Sequence, residues 1–330
     1  GIELTLATSP QTRDDGFDLQ KLADICCERV AKEFSESGKI LAPIPLPVME
    51  IDHEAESVVT VWLQVPAELA TAYKAGQFFM CWNPYDAEGG MSRTNFNSEK
   101  PYSVGDIKID RAGIDETTAA DEGKVGNTLM GFTIKDLGRQ SGELTRMSIG
   151  DWLAIRGPFG TTFPTPKSGS TLILVSGGIG STPMHMMARE ARNKLGSRLK
   201  IHTIMGFRNA SEAHYVQRME GLSDSLTITT DDGTQGVHGY PTQPLEELLK
   251  RLGPNNCTLL TCGPEPMMKP VLAMAVEAGI DCYAAMERYL PCAIAVCGLC
   301  MVGDRLTCRQ GPVMEGDWLL QQSDFGQHHG

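Results

Sequence analysis

Cys292, Cys297, Cys300 and Cys308 stand within one short stretch, Pro291-Cys-Ala-Ile-Ala-Val-Cys-Gly-Leu-Cys-Met-Val-Gly-Asp-Arg-Leu-Thr-Cys308. Four thiols this close are not explained by packing alone. They constrain the fold to a tight loop that gathers soft ligands, which select zinc or iron-sulfur chemistry.

Two features favour iron-sulfur. A Cys-x4-Cys-x2-Cys run with one further Cys is the plant-type [2Fe-2S] spacing, although the last gap here, seven residues, is shorter than in that pattern. The small residues Ala293, Ala295 and Gly298 let the backbone wrap closely and turn amide N–H groups toward sulfur. Structural zinc usually takes two Cys-x2-Cys pairs set farther apart, and this run contains one. Zinc remains the alternative, with disulfides behind it. Cys26, Cys27, Cys81, Cys257, Cys262 and Cys282 are scattered and read as small buried hydrophobes of a reducing compartment.

With 330 residues, 41% of them hydrophobic, the chain is long enough for two or three domains with their own cores. A net charge of -12 argues against nucleic acid, and no stretch has the apolar length of a membrane span. The opening residues lack a signal-peptide pattern, and the start at Gly1 is consistent with removal of an initiator Met. The expected location is the cytoplasm.

Along the chain, Asp18 is a plausible cap for a helix with Leu19, Leu22, Cys26, Val30 and Phe34 on one face, ending at Gly38. Ala42-Pro43-Ile44-Pro45-Leu46-Pro47 reads as an extended linker. From about 48 to 165, short β-branched and aromatic runs between turns give a small β-barrel pattern. The polar stretch from Asp106 to Asn127 reads as a surface loop inserted between strands. From about 166 the period becomes strand, Gly-rich turn and helix: Ser170 to Val175 is a buried strand, and Ser176-Gly177-Gly178-Ile179-Gly180-Ser181-Thr182-Pro183 leads into a helix. Such glycines let a backbone approach a pyrophosphate at a helix N-terminus, although a tight turn alone explains Gly-Gly-x-Gly about as well. A second strand, Cys257 to Thr261, turns into a helix through Cys262-Gly263-Pro264-Glu265-Pro266-Met267, at the strand end where α/β sheets bind ligands.

In this order the motifs resemble the ferredoxin-NADP reductase superfamily, and in particular the electron-transfer subunits of type B dihydroorotate dehydrogenase. Lys100-Pro101-Tyr102-Ser103 resembles the flavin motif Arg-Pro-Tyr-Ser, and Gly157-Pro158-Phe159-Gly160 the turn that closes the flavin barrel. Gly177, Gly178, Gly180 and Pro183 match the nicotinamide-nucleotide loop; Cys262, Gly263, Pro264 and Met267 match the motif facing the nicotinamide. The Cys run followed by Gly311-Pro312-Val313 resembles the C-terminal cluster segment. The implied fold is a β-barrel FAD domain (46–165), an α/β Rossmann-like NAD(P) domain (166–284) and a small [2Fe-2S] cluster domain (285–330), preceded by an N-terminal helical extension and linker (1–45).

The resemblance implies roles that the residue chemistry can fill. Lys100 places a cation on the FAD pyrophosphate, Tyr102 packs an aromatic face on the flavin, and Ser103 offers a hydrogen bond near the reactive nitrogen. Gln140, Ser141 and Gly142 align with a turn whose amides reach the same pyrophosphate. Gly206-Phe207-Arg208 and Thr230-Asp231-Asp232-Gly233-Thr234 end two strands on the adenosine side; Asp231 or Asp232 suits ribose hydroxyls, whereas Arg208 suits a 2′-phosphate. NAD(H) is expected, with NADP(H) left open. Ser103 and Cys262 are the candidate catalytic residues, although packing is the simpler account of Cys262. His185 and His214 are expected to belong to surface or helix packing.

Several residues depart from the family pattern. Lys100 replaces the usual Arg, giving a point charge instead of a fork. Ala293 and Ala295 stand where glycines are usual, and Gln310 replaces an Asp.

A nicotinamide exchanges hydride and a cluster exchanges single electrons, so flavin is the required converter. The expected function is an electron-transfer subunit relaying electrons between NAD(H), FAD and a [2Fe-2S] cluster, in a hetero-oligomer with a catalytic oxidoreductase subunit that holds the substrate. The alternatives are the NAD(P)H-coupling diaphorase subunit of a hydrogenase, a sulfite reductase or an electron-bifurcating complex, and a zinc-stabilised structural or binding subunit.

Overall fold

The computed structural model describes residues 18–85, 99–109, 128–254 and 256–327. The first sheet holds β1 (Ile40–Ala55), β2 (Val58–Val65), β3 (Phe78–Trp82), β4 (Lys100–Tyr102), β5 (Val104–Ile109), β6 (Thr128–Lys135) and β7 (Trp152–Phe159). Its order is β4-β3-β7-β1-β2-β6-β5, antiparallel throughout. β4 and β5 are the two edges, yet only Ser103 separates them in sequence. The sheet must therefore curl until its edges approach, giving a half-barrel; no pairing closes it among the described residues.

Two expectations change here. The Pro-rich segment is not a linker but the first half of β1, paired with β7 through Pro45 opposite Ala154 and Pro47 opposite Trp152. Val48 N–H donates to the Asp151 carbonyl on that side, so from Ile44 on the even-numbered donors face β7. Pro45 and Pro47 lie in the other phase, where β1 has no strand partner among the described residues until β2 joins at Val48, and Pro43 falls in the irregular stretch between Ile40 and Ile44, so the missing donors cost no ladder bond. The polar stretch from Asp106 likewise begins as strand: Asp106 to Ile109 belong to β5, and residues 110–127 lie outside the described residues.

Before this sheet comes α1 (Leu19–Ser37), whose Asp18 carboxylate accepts from Lys21 N–H at 3.1 Å and which ends on Gly38 in the left-handed conformation. Two short helices, α2 (Ala67–Ala72) and α3 (Arg139–Thr145), connect the strands.

The second sheet is doubly wound. Its strands are β8 (Thr171–Gly177), β9 (Lys200–Phe207), β10 (Ser225–Thr230), β11 (Val237–His238), β12 (Cys257–Cys262) and β13 (Asp281–Ala285), all parallel. Helices α4 (Ser181–Leu195), α5 (Val216–Glu220), α6 (Thr242–Leu252) and α7 (Glu265–Glu277) connect them. The order β11-β10-β9-β8-β12-β13 reverses direction between β8 and β12, which is the switch point where such sheets open a ligand crevice at the strand C-termini.

After β13 the chain runs through the cysteine loop, the hairpin β14 (Met301–Val302) and β15 (Arg305–Leu306), and α8 (Thr307–Gln310). It returns as β16 (Val313–Glu315), antiparallel to β13, and ends in α9 (Gly316–Leu320). This segment is built into both neighbours. Leu319 and Phe325 are fully buried in the nucleotide-sheet core, while Ala293, Cys300 and Cys308 pack with Phe78, Met80 and Phe159 of the half-barrel. No helix among the described residues is long and apolar enough to cross a membrane.

Candidate functional site

A cavity of about 580 Å³ opens between the two sheets, a size that suits a bound cofactor. The edge strand β4 supplies Lys100, Pro101 and Tyr102, and Ser103 follows at the turn into β5. Among the described residues Lys100 has no carboxylate partner; burial holds its ammonium below the usual lysine range, and it lies 4.9 Å above the Tyr289 ring. An unpaired cation on a cavity wall fits an anionic ligand. Gln140 and Ser141 line the same cavity from α3. Gly142 does not: its N–H donates to the Gly138 carbonyl at 2.8 Å, so the helix itself uses the amide expected to face a phosphate.

From the other side come Pro183 and Cys262, and the two nucleotide motifs meet at the switch point. A Cβ built on Gly177 would lie 3.1 Å from Pro264 and one on Gly263 2.9 Å from the Gly177 nitrogen, so both loops need glycine for their backbones to touch. At Gly180 a Cβ would collide with the Cys262 carbonyl. Gly178 adopts φ 52°, and Met267 packs its side chain against Gly177 and Gly263. Thr182, 1% exposed, lines the cavity with a hydroxyl that has no hydrogen-bond partner among the described residues, which leaves a polar atom for a ligand to satisfy. Burial and the nearby Glu287 carboxylate push the Cys262 thiol well above its ordinary range. It stays protonated, the opposite of an activated nucleophile.

Gly157 lies within β7 with φ 141°, away from the cavity, where the pairing with β3 shifts register between Phe159 and Arg156; a Cβ there would meet the Phe79 ring, so glycine lets β7 keep its place against β3. Gly160, three residues on, abuts Pro312, and Thr161 N–H donates to the Gly311 carbonyl at 2.7 Å. This turn therefore joins the half-barrel to the segment after the cysteines.

Arg208 and Asp231 lie outside the cavity, both exposed, at the C-terminal ends of β9 and β10. Asp231 N–H donates to the Phe207 carbonyl at 3.0 Å, which sets the two strand ends side by side. The Asp232 carboxylate is committed to Thr234, accepting from its hydroxyl at 2.6 Å and its N–H at 3.0 Å.

The cysteine loop turns in the left-handed region three times, at Ala293 (φ 55°), Ala295 (φ 61°) and Gly298 (φ 72°). These turns collect donors on sulfur. Burial raises the Cys292 thiol, but the amides of Cys297, Ile294 and Val296 and the Cys297 side chain outweigh it and hold the group at about 7. Burial and the adjacent Cys300 push Cys308 up to about 12, against a bond from the Ala295 amide. The thiols are close enough to act on one another, Cys297 on Cys292 and both Cys300 and Cys292 on Cys308. Among the described residues no three His, Cys, Asp or Glu side chains converge as a metal-holding group. The donor set nevertheless suits a thiolate-ligated metal: four sulfurs in one loop, with backbone amides already aimed at Cys292 and Cys308. Of the other six cysteines, Cys81, Cys257, Cys262 and Cys282 are buried, and Cys26 and Cys27 half-buried on α1.

Sequence reasoning missed the wall formed by Glu287, Arg288, Tyr289 and Leu290. Burial and the neighbouring Glu265 raise the Glu287 carboxyl above the usual carboxylate range. Arg288 is ion-paired with Glu265 at 2.8 Å, with both side chains buried. These residues follow β13 at the same end of the sheet as the two recognised loops, and that position was the available signal.

Comparison with known proteins agrees with this architecture. A family model described as an oxidoreductase NAD-binding domain matches residues 174–272. The probable dihydroorotate dehydrogenase B (NAD(+)) electron-transfer subunit of Methanocaldococcus jannaschii is 32% identical over 288 residues, covering 87% of this chain and 95% of the relative. The chain belongs to this family of electron-transfer subunits. The corresponding subunit of Clostridium perfringens is 34% identical over 191 residues, 56% of this chain and 73% of its own. Among solved structures, the NADH-dependent reduced ferredoxin-NADP oxidoreductase studied for flavin-based electron bifurcation superposes with a TM-score of 0.63 at 22% identity, over 82% of this chain and 88% of its own. The ferredoxin reductase of carbazole 1,9a-dioxygenase gives 0.54 at 21% identity, over 72% of this chain and 66% of its own. Both likenesses establish the ferredoxin-NADP-reductase-like fold of half-barrel and nucleotide sheet.

Proposed function

We propose that this chain is the electron-transfer subunit of a dihydroorotate dehydrogenase, exchanging electrons between NAD(H) and a catalytic partner that holds the substrate. The observation that carries the reading is the shared cavity, whose walls join Lys100 to Ser103 of the half-barrel with Pro183 and Cys262 of the nucleotide sheet. When bound, FAD supplies the conversion between two-electron hydride exchange and the one-electron steps of a [2Fe-2S] cluster.

The chain's own residues divide the work. Lys100 holds the flavin's pyrophosphate, with Gln140 and Ser141 beside it, while Tyr102 and Ser103 face the ring. Gly177, Gly178, Gly180 and Pro183 receive the dinucleotide pyrophosphate, and Cys262 to Met267 bound the nicotinamide, with the Thr182 hydroxyl free to bond it. Asp231, exposed beside the committed Asp232, is the acceptor for ribose hydroxyls; this agrees with the NAD(+) in the relatives' names and favours NADH over NADPH. Cys292, Cys297, Cys300 and Cys308 hold the cluster. The domain division follows the stretches read from the sequence, with the flavin unit beginning at Ile40, where β1 enters the sheet.

The test is the visible spectrum of anaerobically purified chain before and after stoichiometric NADH, with iron, zinc and flavin quantified on the same sample. Bands of both flavin and iron-sulfur, bleached by NADH, are expected. NADH-dependent reduction of orotate on adding a catalytic dihydroorotate dehydrogenase subunit tests the partner. Zinc in place of iron, or a spectrum that NADH leaves unchanged, overturns the relay.

A further inference from the structure

Arg156 occupies β7 just before the Gly157 turn, with its side chain 6% exposed. Its guanidinium makes three contacts. Nε and Nη2 lie 2.8 and 2.6 Å from one carboxylate oxygen of Glu99, itself 3% exposed and the residue immediately before Lys100. Nη2 also donates to the Cys292 carbonyl at 2.8 Å, and the guanidinium carbon sits 5.4 Å from the Phe159 ring. One side chain thus joins the residue before β4, strand β7 and the first cysteine of the loop.

A buried charge is tolerated only when paired and hydrogen-bonded, and Glu99 supplies the pairing. The pairing leaves the other N–H of Nη2 for the Cys292 carbonyl, a division of donors that the rigid planar guanidinium allows and a lysine ammonium lacks. Around this joint Phe78, Met80, Phe159, Leu290 and Ala293 form an apolar collar that excludes water from the ion pair. The left-handed turns at Ala293 and Ala295 follow directly, so the carbonyl that Arg156 fixes is the last fixed point before the loop begins to wind around its thiols.

We propose that Arg156 is a positioning residue, a clamp paired with Glu99 that fixes the ligand loop at Cys292 against the flavin strand and so controls how firmly the loop holds its metal. The contact stands on geometry alone; its consequence for metal rests on the reading of Cys292, Cys297, Cys300 and Cys308 as cluster ligands. Groups that orient a metal's ligands cost about 10- to 100-fold in metal affinity when removed.

The experiment uses the full chain carrying Glu99→Leu and Arg156→Met together, which replaces the buried pair with apolar side chains and leaves no charge stranded. Two readouts are taken: hydrogen exchange of amides 293–298 in the metal-free chain, and the rate at which iron-loaded protein releases iron to a ferrous chelator. Both are compared with FAD content and melting temperature. Faster exchange confined to the loop, and iron release faster by about 10- to 100-fold, are expected at unchanged FAD content. Wild-type exchange and release in the folded variant overturn the proposal, as does FAD lost in step with iron, which would make Arg156 a general support of the half-barrel. If the double variant does not fold, Arg156→Lys, which keeps the ion pair but not the fork, is measured the same way. A wild-type chain that takes up no iron removes the cluster reading, and loop exchange in the metal-free chain still decides the clamp.

Discussion

Acid should loosen the joint between the two sheets through His185 and His214. His185, on α4, is 3% exposed; its Nδ1–H donates to the Gly105 carbonyl of β5 at 2.8 Å, and its ring lies 4.9 Å from that of Tyr215. His214 is 2% exposed, donates from Nδ1 to the Glu212 carbonyl at 3.0 Å, and lies 2.7 Å from the Ser181 hydroxyl through Nε2. Burial, with Arg218 adding to it, lowers His185 to about 4 despite the Gly105 bond. Burial, aided by Lys135, brings His214 to about 4 as well. In the unfolded chain both return to the ordinary value of 6.5.

Between those values the unfolded state binds more protons than the folded one, so stability is complete above about pH 6.5 and is lost as the pH falls toward 4. At about 1.4 kcal/mol per unit, the gap corresponds to roughly 3 kcal/mol for each histidine. Both rings contact Tyr215, so the two contributions couple and their sum is an upper bound. Glu54 and Glu190, raised above the ordinary carboxylate value by burial, act in the opposite direction over the acid part of this range. The absolute pH profile therefore mixes both, and a difference measurement separates them. Urea unfolding of wild type and of His185→Gln, which keeps a donor for the Gly105 carbonyl, is followed at several pH values from 7 to 4. Wild type should lose about 3 kcal/mol more than the variant across that range. Parallel profiles would show that His185 is not held neutral by its surroundings.

Three further outcomes are expected. Ala293→Gly and Ala295→Gly relieve left-handed backbone that costs an L-residue about 1–2 kcal/mol, so each raises the melting temperature, and an unchanged value would place the strain elsewhere. Gly180→Ala drives a methyl into the Cys262 carbonyl, costs about 1–3 kcal/mol of stability and weakens NADH binding in a bleaching titration while FAD is retained; unchanged NADH affinity would detach this loop from the nucleotide. Lys100→Ala removes a charged hydrogen bond of about 1.5–3 kcal/mol, so FAD is held roughly 10- to 100-fold less tightly in equilibrium dialysis; full retention would remove Lys100 from the flavin site.

How much of this was legible in the sequence depended on whether a signal was local. The strand-glycine-helix units at Gly177 and Cys262 were readable because a parallel strand and its turn occupy adjacent residues, and the structure brings the two loops into backbone contact. The prolines of β1 misled because composition does not show phase: prolines on alternate residues break a two-sided strand but suit one that is paired on the opposite side only at those positions. Gly142 misled for the opposite reason, since an amide aligned with a phosphate-binding turn was already bonded within its own helix. The Glu99–Arg156 pair could not be found at all, because its members are 57 residues apart and neither belongs to a motif. Glu287 and Arg288 were within reach. The rule that ligands gather at the carboxyl ends of parallel strands was applied to β8, β9, β10 and β12, yet it holds equally for β13, whose following residues wall the cavity. In a doubly wound sheet, a strand that ends next to a recognised motif carries nearly as much functional information as the motif itself, because the switch point fixes which ends must face the same ligand.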